Sequence, residues 1–351
     1  MKGKIMSKKA LIAMSGGVDS SVAALLMKNA GYECTGAMMR LWGGADEQDE
    51  KDAAAVAARL DIPFYVFDLQ DKFREKVINK FIKTYENGAT PNPCLDCNRY
   101  LKFGALYEKA RELGCDYIAT GHYVISAQDK NTGRHIIKKA ADPAKDQSYV
   151  LYSLSQEILS HCVFPLGSRT KSEIREIAEQ NGFVNSRKKE SQDICFVPDG
   201  DYSAFIERET GRVYPPGDFV TTSGEKVGTH SGIIRYTIGQ RKGLGVSYRA
   251  PLYVCAKDIK NNRVILTEGA ELFSREVTAA DINLIAVPKI EGGMRVAART
   301  RYNMKEQPAT AYQPDENTIK VVFDSPQRAA APGQALVLYS GKTVVGGGTI
   351  I

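Results

Sequence analysis

No stretch of the 351 residues approaches the roughly 20 continuous apolar positions that a membrane-spanning helix needs. The start, Met1 to Lys9, is basic, but a strand-like run and a glycine turn follow it, with no small-residue cleavage site. These absences argue against a membrane or secreted protein and predict a cytoplasmic one. Long linkers, internal repeats and low-complexity tracts are missing as well. Hydrophobic (43%) and charged (25%) residues stand at ordinary globular proportions, which excludes a disordered chain. The length accommodates two or three domains. Seven cysteines, odd in number and unevenly spaced, do not make a disulfide framework. Cys34, Cys115, Cys162 and Cys255 stand singly among apolar neighbours and read as small buried hydrophobes. Cys94, Cys97 and Cys195 have polar, proline or acidic neighbours and need another explanation.

Acid is also missing over one long stretch. From Lys226 to Lys257 there are six cations (Lys226, Arg235, Arg241, Lys242, Arg249, Lys257) and no carboxylate, with glycines and tyrosines between them. That distribution says more than the net charge of +6 and suits a phosphate-backbone surface. A solvated basic loop is the plainer alternative.

The first half alternates short apolar runs with helical patterns. Strands are expected at residues 10–13, 34–40, 64–68 and 117–120. Helices are expected at 20–29, 52–60, 72–85 and 103–113. Such alternation predicts a doubly wound parallel sheet covered on both faces, with its ligand outside the carboxyl ends of the strands. After about residue 200 helical periodicity nearly disappears, and short β-branched runs between glycines and prolines predict one or two small β-barrels. The expected boundaries divide the chain into 1–201, 202–273 and 274–351. The acidic segment from Gly43 to Lys51 reads as a surface loop.

Ser15-Gly16-Gly17-Val18-Asp19-Ser20 follows the first strand and opens the first helix. Two glycines allow close backbone approach to an anion, and the helix amino terminus offers free N–H groups and a favourable dipole. Ser15, Ser20 and Ser21 add hydroxyls. Neither a Gly-Lys-Ser/Thr ending nor a GxGxxG fingerprint is present, so this is neither a Walker loop nor a dinucleotide loop. Asp19 would repel phosphate by itself, so its expected task is to orient a loop amide or hold magnesium. A mere strand-to-helix turn is the alternative. The string resembles the pyrophosphate loop of the ATP pyrophosphatase family, with its adenine nucleotide alpha-hydrolase-like fold. The resemblance implies cleavage of ATP between the α and β phosphates to adenylate a carbonyl oxygen.

The cysteines narrow the choice. Thr90-Pro91-Asn92-Pro93-Cys94-Leu95-Asp96-Cys97-Asn98 reads as a proline-stiffened loop that fixes two thiols relative to each other. Ser191-Gln192-Asp193-Ile194-Cys195-Phe196 follows the basic Arg187-Lys188-Lys189, whose charges would favour the Cys195 thiolate. Zinc or iron–sulfur ligation, persulfide chemistry and structural burial remain open at this point. A structural zinc would want four ligands, and His122 is the nearest fourth candidate.

These strings, with Gly121-His122-Tyr123, Lys145-Asp146-Gln147-Ser148-Tyr149, Phe164-Pro165-Leu166-Gly167, the run from Tyr236 to Gly245, Pro332-Gly333-Gln334 and Gly346-Gly347-Gly348, resemble the bacterial tRNA-specific 2-thiouridylase family along essentially the whole chain. The resemblance implies ATP bound by Ala13, Met14, Ser15, Gly16, Gly17, Val18, Asp19 and Ser20, with Met39 and Gly121 near adenine and ribose. It implies adenylation of the target uridine O2, a persulfide on Cys195, and Cys97 as the nucleophile that closes a disulfide with Cys195. Asn92, Pro93 and Cys94 match the segment that contacts the target base. His122, Lys145, Asp146, Gln147, Arg301, Tyr302 and Gln334 match tRNA contacts. For the last group, Arg on phosphate and Tyr on an unpaired base make physical sense. The implied partners are the lysine, glutamate and glutamine tRNAs and a sulfur-relay protein or cysteine desulfurase. Magnesium is expected with ATP.

Many relatives carry aspartate where this chain has Cys94. Three cysteines, Cys94, Cys97 and Cys195, are what an iron–sulfur cluster with one open iron would use, so a cluster that activates sulfide stands beside the persulfide reading. Two other classes remain as rivals. A small-molecule adenylating ligase would need neither the three polar-context cysteines nor the acid-free stretch. A non-catalytic RNA-binding protein would not need Ser15 to Ser20.

Overall fold

The structure is a computed structural model and describes residues 8–43, 47–188 and 194–351. Five parallel strands form the first sheet: β1 (Lys9–Ala13), β2 (Glu33–Arg40), β3 (Phe64–Asp68), β4 (Tyr117–Thr120) and β7 (Cys162–Val163), in the order β3-β2-β1-β4-β7. Ala10, Leu11 and Ile12 are fully buried because helices cover both faces of the central strand. The chain steps outward from β1 to β3 on one side and then returns to place β4 on the other. That reversal opens a crevice at the carboxyl ends of β1 and β4. Helix α1 (Val18–Asn29) starts there.

Several elements differ from the sequence expectation. Helix α2 spans Glu47–Arg59, so the carboxyl-side part of the acidic segment is helical rather than loop. Gly44, Ala45 and Asp46 lie outside the described residues. Residues 70–86 form one helix with a π-helical middle, Arg74–Ile78. The helix expected at 103–113 begins ten residues earlier. Pro93 opens it in the first turn, where a missing N–H costs nothing, and the widened π segment Cys97–Ala105 follows. Cys94 and Cys97 therefore sit on a helix, not in a loop. A further helix, Tyr202–Thr210, lies where helical periodicity was expected to have ended.

The hairpin β5 (Val124–Gln128) and β6 (His135–Lys139) was not foreseen. Beyond residue 210, β8 (Gly217–Thr221), β9 (Lys226–His230), β10 (Tyr253–Asp258) and β11 (Arg263–Thr267) make a small mixed sheet. Six antiparallel strands then close a barrel: β12 (Phe273–Leu284), β13 (Met294–Arg299), β14 (Gln307–Asp315), β15 (Thr318–Arg328), β16 (Ala335–Ser340) and β17 (Thr343–Ile350). Closure comes from β17 pairing back to β12. The β5–β6 hairpin reaches from the first domain to the barrel, where Lys138 pairs with Thr343.

Two cores join the parts. Leu11, Phe103 and Tyr149 of the first domain share an apolar cluster with Ala335, Val337 and Tyr339 of the barrel. Phe73, Phe81 and Phe196 share another with Phe205, Phe219 and Ile234 beyond residue 200. Among the described residues no helix is long and apolar enough to cross a membrane.

Candidate active site

The loop after β1 is held by its own atoms. The Ser15 amide donates to Ser20 Oγ at 3.1 Å, and the Ser20 and Ser21 hydroxyls both donate to the Gly17 carbonyl at 3.0 Å. Gly16 adopts φ +72°, a left-handed conformation that a side chain would strain. From outside the loop, buried Asn185 donates through Nδ2 to the Gly16 carbonyl (2.8 Å) and to Ser21 Oγ (2.9 Å). Gly121, just after β4, packs so closely that a Cβ there would lie 2.9 Å from the Asp19 carbonyl carbon and the Ser20 nitrogen. Ala13, Met14 and Val18 line the same turn, and Met39 lies half-buried near the carboxyl end of β2.

Asp19 does not orient a loop amide. Its carboxylate accepts from Lys171 Nζ at 2.7 and 2.8 Å and from the Tyr123 hydroxyl at 2.7 Å. Lys171 and Asn185 escaped the sequence reading because they lie far along the chain from the loop, 152 residues beyond Asp19 and 169 beyond Gly16. Lys188 was expected to activate Cys195. It instead pairs with Asp49 at 33% and Asp52 at 12% side-chain exposure, on α2, while Arg187 lies 3.7 Å from Glu179. Lys189, Ser191, Gln192 and Asp193 lie outside the described residues.

The three polar-context thiols come together. Cys94 and Cys195 reach solvent and Cys97 is half-buried, all as free thiols. Charge on Cys94 or Cys195 would oppose ionisation of Cys97, which places the three within electrostatic range. Burial pushes Cys97 up to about 12 and also raises Cys94 and Cys195, in each case against the pull of Lys102. Among the described residues, the cation facing these thiols is Lys102, one turn along the same helix. Among the described residues, no three Cys, His, Asp or Glu side chains form a site for a single metal ion. As a donor set for a larger iron–sulfur cluster, three neighbouring thiols are chemically suitable.

The helix carrying Cys97 is fixed on all sides. Asn98, buried, donates to the Val150 carbonyl at 3.0 Å, Arg99 pairs with Asp281 on β12, and Lys80 pairs with Asp96 at 2.7 Å. Phe196 anchors the neighbouring Cys195. Its ring meets Phe81 edge-on at 5.2 Å and lies 5.7 Å from Phe73 and 5.1 Å from Phe205.

The expected tRNA contacts divide. Tyr302 is 39% exposed and stands near enough to Cys94 to feel its charge. Asn92 stands at the amino-terminal cap position of the thiol helix without a side-chain cap bond, and Pro93, buried, is the first helical residue. Gln334 donates to the Thr90 and Pro91 carbonyls at 3.0 and 3.1 Å, so it braces the segment leading to Asn92. Asp146 is buried, accepting from Ser148 Oγ (2.7 Å) and the Ala140 amide (3.0 Å), and Gln147 accepts from the Tyr123 amide. Lys145 is half-buried at this turn. Burial holds His122 well below its ordinary range, so it is neutral, with Nδ1 2.8 Å from Thr120 Oγ1. Arg301 Nη2 donates to the Ile238 and Ala329 carbonyls at 2.9 and 2.7 Å.

The acid-free stretch is less free than it looked. Lys226, Arg235 and Arg249 pair with Asp218, Glu207 and Glu268, and Lys257 is half-buried with its Nζ enclosed, which pushes its pKa down to about 8. Cys34, Cys115 and Cys162 are buried as expected, but Cys255 is only half-buried and donates to the Ile265 carbonyl.

Comparison with known proteins adds the following. Residues 8–199 match the protein family described as tRNA methyl transferase HUP domain, 203–268 its PRC-barrel domain, and 274–350 the aminomethyltransferase beta-barrel domain. A protein of Clostridioides difficile (strain 630) named tRNA-specific 2-thiouridylase MnmA is 45% identical, covering 98% of each chain. The chain belongs to the tRNA-specific 2-thiouridylase family. A second thiouridylase, from Acetivibrio thermocellus, is 46% identical over 98% of this chain and 99% of its own. Methyl transfer is thus only a label carried by the domain names, while the full-length relatives carry the thiouridylase name. Among solved structures, a 4-thiouridine synthetase–RNA complex with bound ATP covers 58% of this chain and 50% of that one, at 17% identity and TM-score 0.36.

Proposed function

We propose that the chain converts a uridine of tRNA, at the wobble position, into 2-thiouridine at the expense of ATP. Identity of 45–46% to thiouridylases along 98% of the chain carries this reading. The geometry supports it at one further point: Lys102 faces the three thiols and also His122, the neighbour of Gly121 against the nucleotide loop.

ATP would sit on Ser15–Ser20 at the amino terminus of α1, accompanied by magnesium, with adenine towards Met39. The uridine O2 attacks the α phosphorus, pyrophosphate leaves, and O2 becomes part of an AMP leaving group. Lys171 would leave Asp19 to offset the charge of the departing pyrophosphate. The terminal sulfur of a Cys195 persulfide then attacks C2 and expels AMP. Cys97 attacks Cys195 Sγ, which forms the Cys97–Cys195 disulfide and releases the thiouridine. An external thiol donor reduces the pair, and a sulfur-relay protein or cysteine desulfurase in the cytoplasm reloads Cys195. Asn92, Cys94 and Tyr302 would receive the base. Lysine, glutamate and glutamine tRNAs are the proposed acceptors, and the division at 201 and 273 is the proposed domain organisation.

Cys94 favours a second reading, because its thiol joins the other two. Cys94, Cys97 and Cys195 would then hold an iron–sulfur cluster, which supplies an open iron for sulfide. Anaerobic purification with iron and sulfide quantification, followed by thiolation with loaded and apo protein, separates the two. Metal-free protein that thiolates tRNA from a persulfide donor supports the relay. About four irons per chain, with activity only when loaded, supports the cluster. Absence of tRNA-dependent pyrophosphate release under both regimes would overturn the function itself.

A further inference from the structure

Two cations of the acid-free stretch, Arg241 and Lys242, remain exposed and have no carboxylate partner among the described residues. They belong to a loop that is locked before any ligand arrives. The Thr237 amide donates to Gln240 Oε1 at 3.0 Å, and Gln240 Nε2 donates to the Lys242 carbonyl at 3.1 Å. The Gly239 amide reaches the Val254 carbonyl at 2.8 Å, and the Val254 amide returns to Gln240 at 3.0 Å. At Gly239, φ is +88° and a Cβ would lie 2.9 Å from Ala329 of the barrel, so the loop abuts the barrel directly.

On the barrel side stand two more cations. Arg301 cross-links the loop to Ala329 through its two carbonyl bonds, and burial together with neighbouring Arg328 disfavours its charge. Arg328 is exposed and stacks over the Tyr253 ring at 4.7 Å. All four cations line one open cavity of about 450 Å³ whose lining contains no Asp or Glu. The nearby acids Asp199 and Asp201 line a separate cavity that shares only Gln240 with it. Like charges gathered without counter-ions cost free energy unless an anion joins them.

We propose that this cavity binds phosphodiester groups of the RNA backbone, gripping them between the 237–242 loop and Arg328. The proposal rests on tRNA being the substrate. Arg301 shapes the cavity from behind, while Arg241, Lys242 and Arg328 supply the exposed charge. Contacts of this kind fix the register of the RNA without reading its bases. Because the walls come from the central sheet region and from the barrel, bound RNA also ties those two parts together.

The test measures tRNA binding across a salt series for the wild type, Arg241→Gln/Lys242→Gln and Arg328→Gln, all exposed positions that leave packing intact. Competition by free pyrophosphate and inorganic phosphate is measured in parallel. Neutralising each phosphate contact lowers the slope of log affinity against log salt by about 0.9. The double variant is expected to lose about 1 to 2 from the slope and roughly tenfold in affinity, equally for a tRNA of unrelated sequence. Arg241→Lys should retain the wild-type slope. An unchanged slope in both Gln variants, with wild-type binding intact, overturns the cavity site and leaves the thiouridylase reading standing. A change in free phosphate or pyrophosphate competition without a change in RNA binding overturns it as well. If the wild type shows no salt-dependent binding of tRNA, the functional reading and the cavity site both fall.

Discussion

From Ser15 to Ser21 the loop after β1 is tied mainly by bonds among neighbours, with hydroxyls closing on the Gly17 carbonyl three and four residues away and Asn185 reaching in from outside. The three-thiol region has no such local order. Cys97 depends on Arg99 reaching Asp281 on β12, and Cys195 depends on Phe196 resting against Phe81. Electrostatics divide the same way. The loop offers N–H groups that are polar at any pH, whereas the thiols have raised pKa values and need a neighbour to ionise. A site made of local bonds can be ready beforehand. One assembled across the chain depends on every domain being in place.

The contrast is sharpened first at Phe196. Phe196→Ala should cost about 3–5 kcal/mol in denaturant unfolding, and thiolation should fall further than ATP binding. Equal loss of both would mean that the two regions are not separately built. Next comes Asp19→Asn, which removes the anchor of Lys171. Pyrophosphate release should drop about 10²–10³-fold while tRNA affinity persists. Full activity in that variant would remove the loop from the chemistry.

Lys102→Met is a smaller and more selective change. Losing the cation raises the thiol pKa values, so less thiolate exists at a given pH. Alkylation of Cys97 and Cys195 at neutral pH should slow by on the order of a few-fold, with the alkaline rise moved to higher pH. An unaltered alkylation profile would show that Lys102 does not govern the thiols. Smallest is Lys188→Ala, whose ion pairs with Asp49 and Asp52 are partly solvated. It should cost about 1 kcal/mol or less and leave thiol reactivity alone. Slower alkylation of Cys195 there would restore Lys188 as its activating cation.

The same division explains what the sequence disclosed. The strands at 64–68 and 117–120 stand where apolar patterning put them, the second well buried inside the sheet and the first half-covered at its edge. Ser15–Ser20 was legible because its function is carried by adjacent residues. The thiol helix was not, because prolines at 91 and 93 look like loop signals until Pro93 is recognised as a first-turn residue. Lys102, Lys171 and Asn185 carry no local signature at all; each matters only through what folds against it. The charges of the 226–257 stretch misled for the opposite reason. Counting them along the chain ignored Asp218, Glu207 and Glu268, which sit just outside it and neutralise half.

The β5–β6 hairpin has a bearing on how the protein can be taken apart. A closed barrel has no free edge, yet this one shows strand backbone to an arm from another domain at Lys138 and Thr343, and Lys139 grips Glu306 beside it. The terminal third is thus unsuited to serve as a detachable module. Cut free near residue 273, it would present an uncovered seam and the apolar faces of Ala335 and Val337 to solvent, both recipes for self-association.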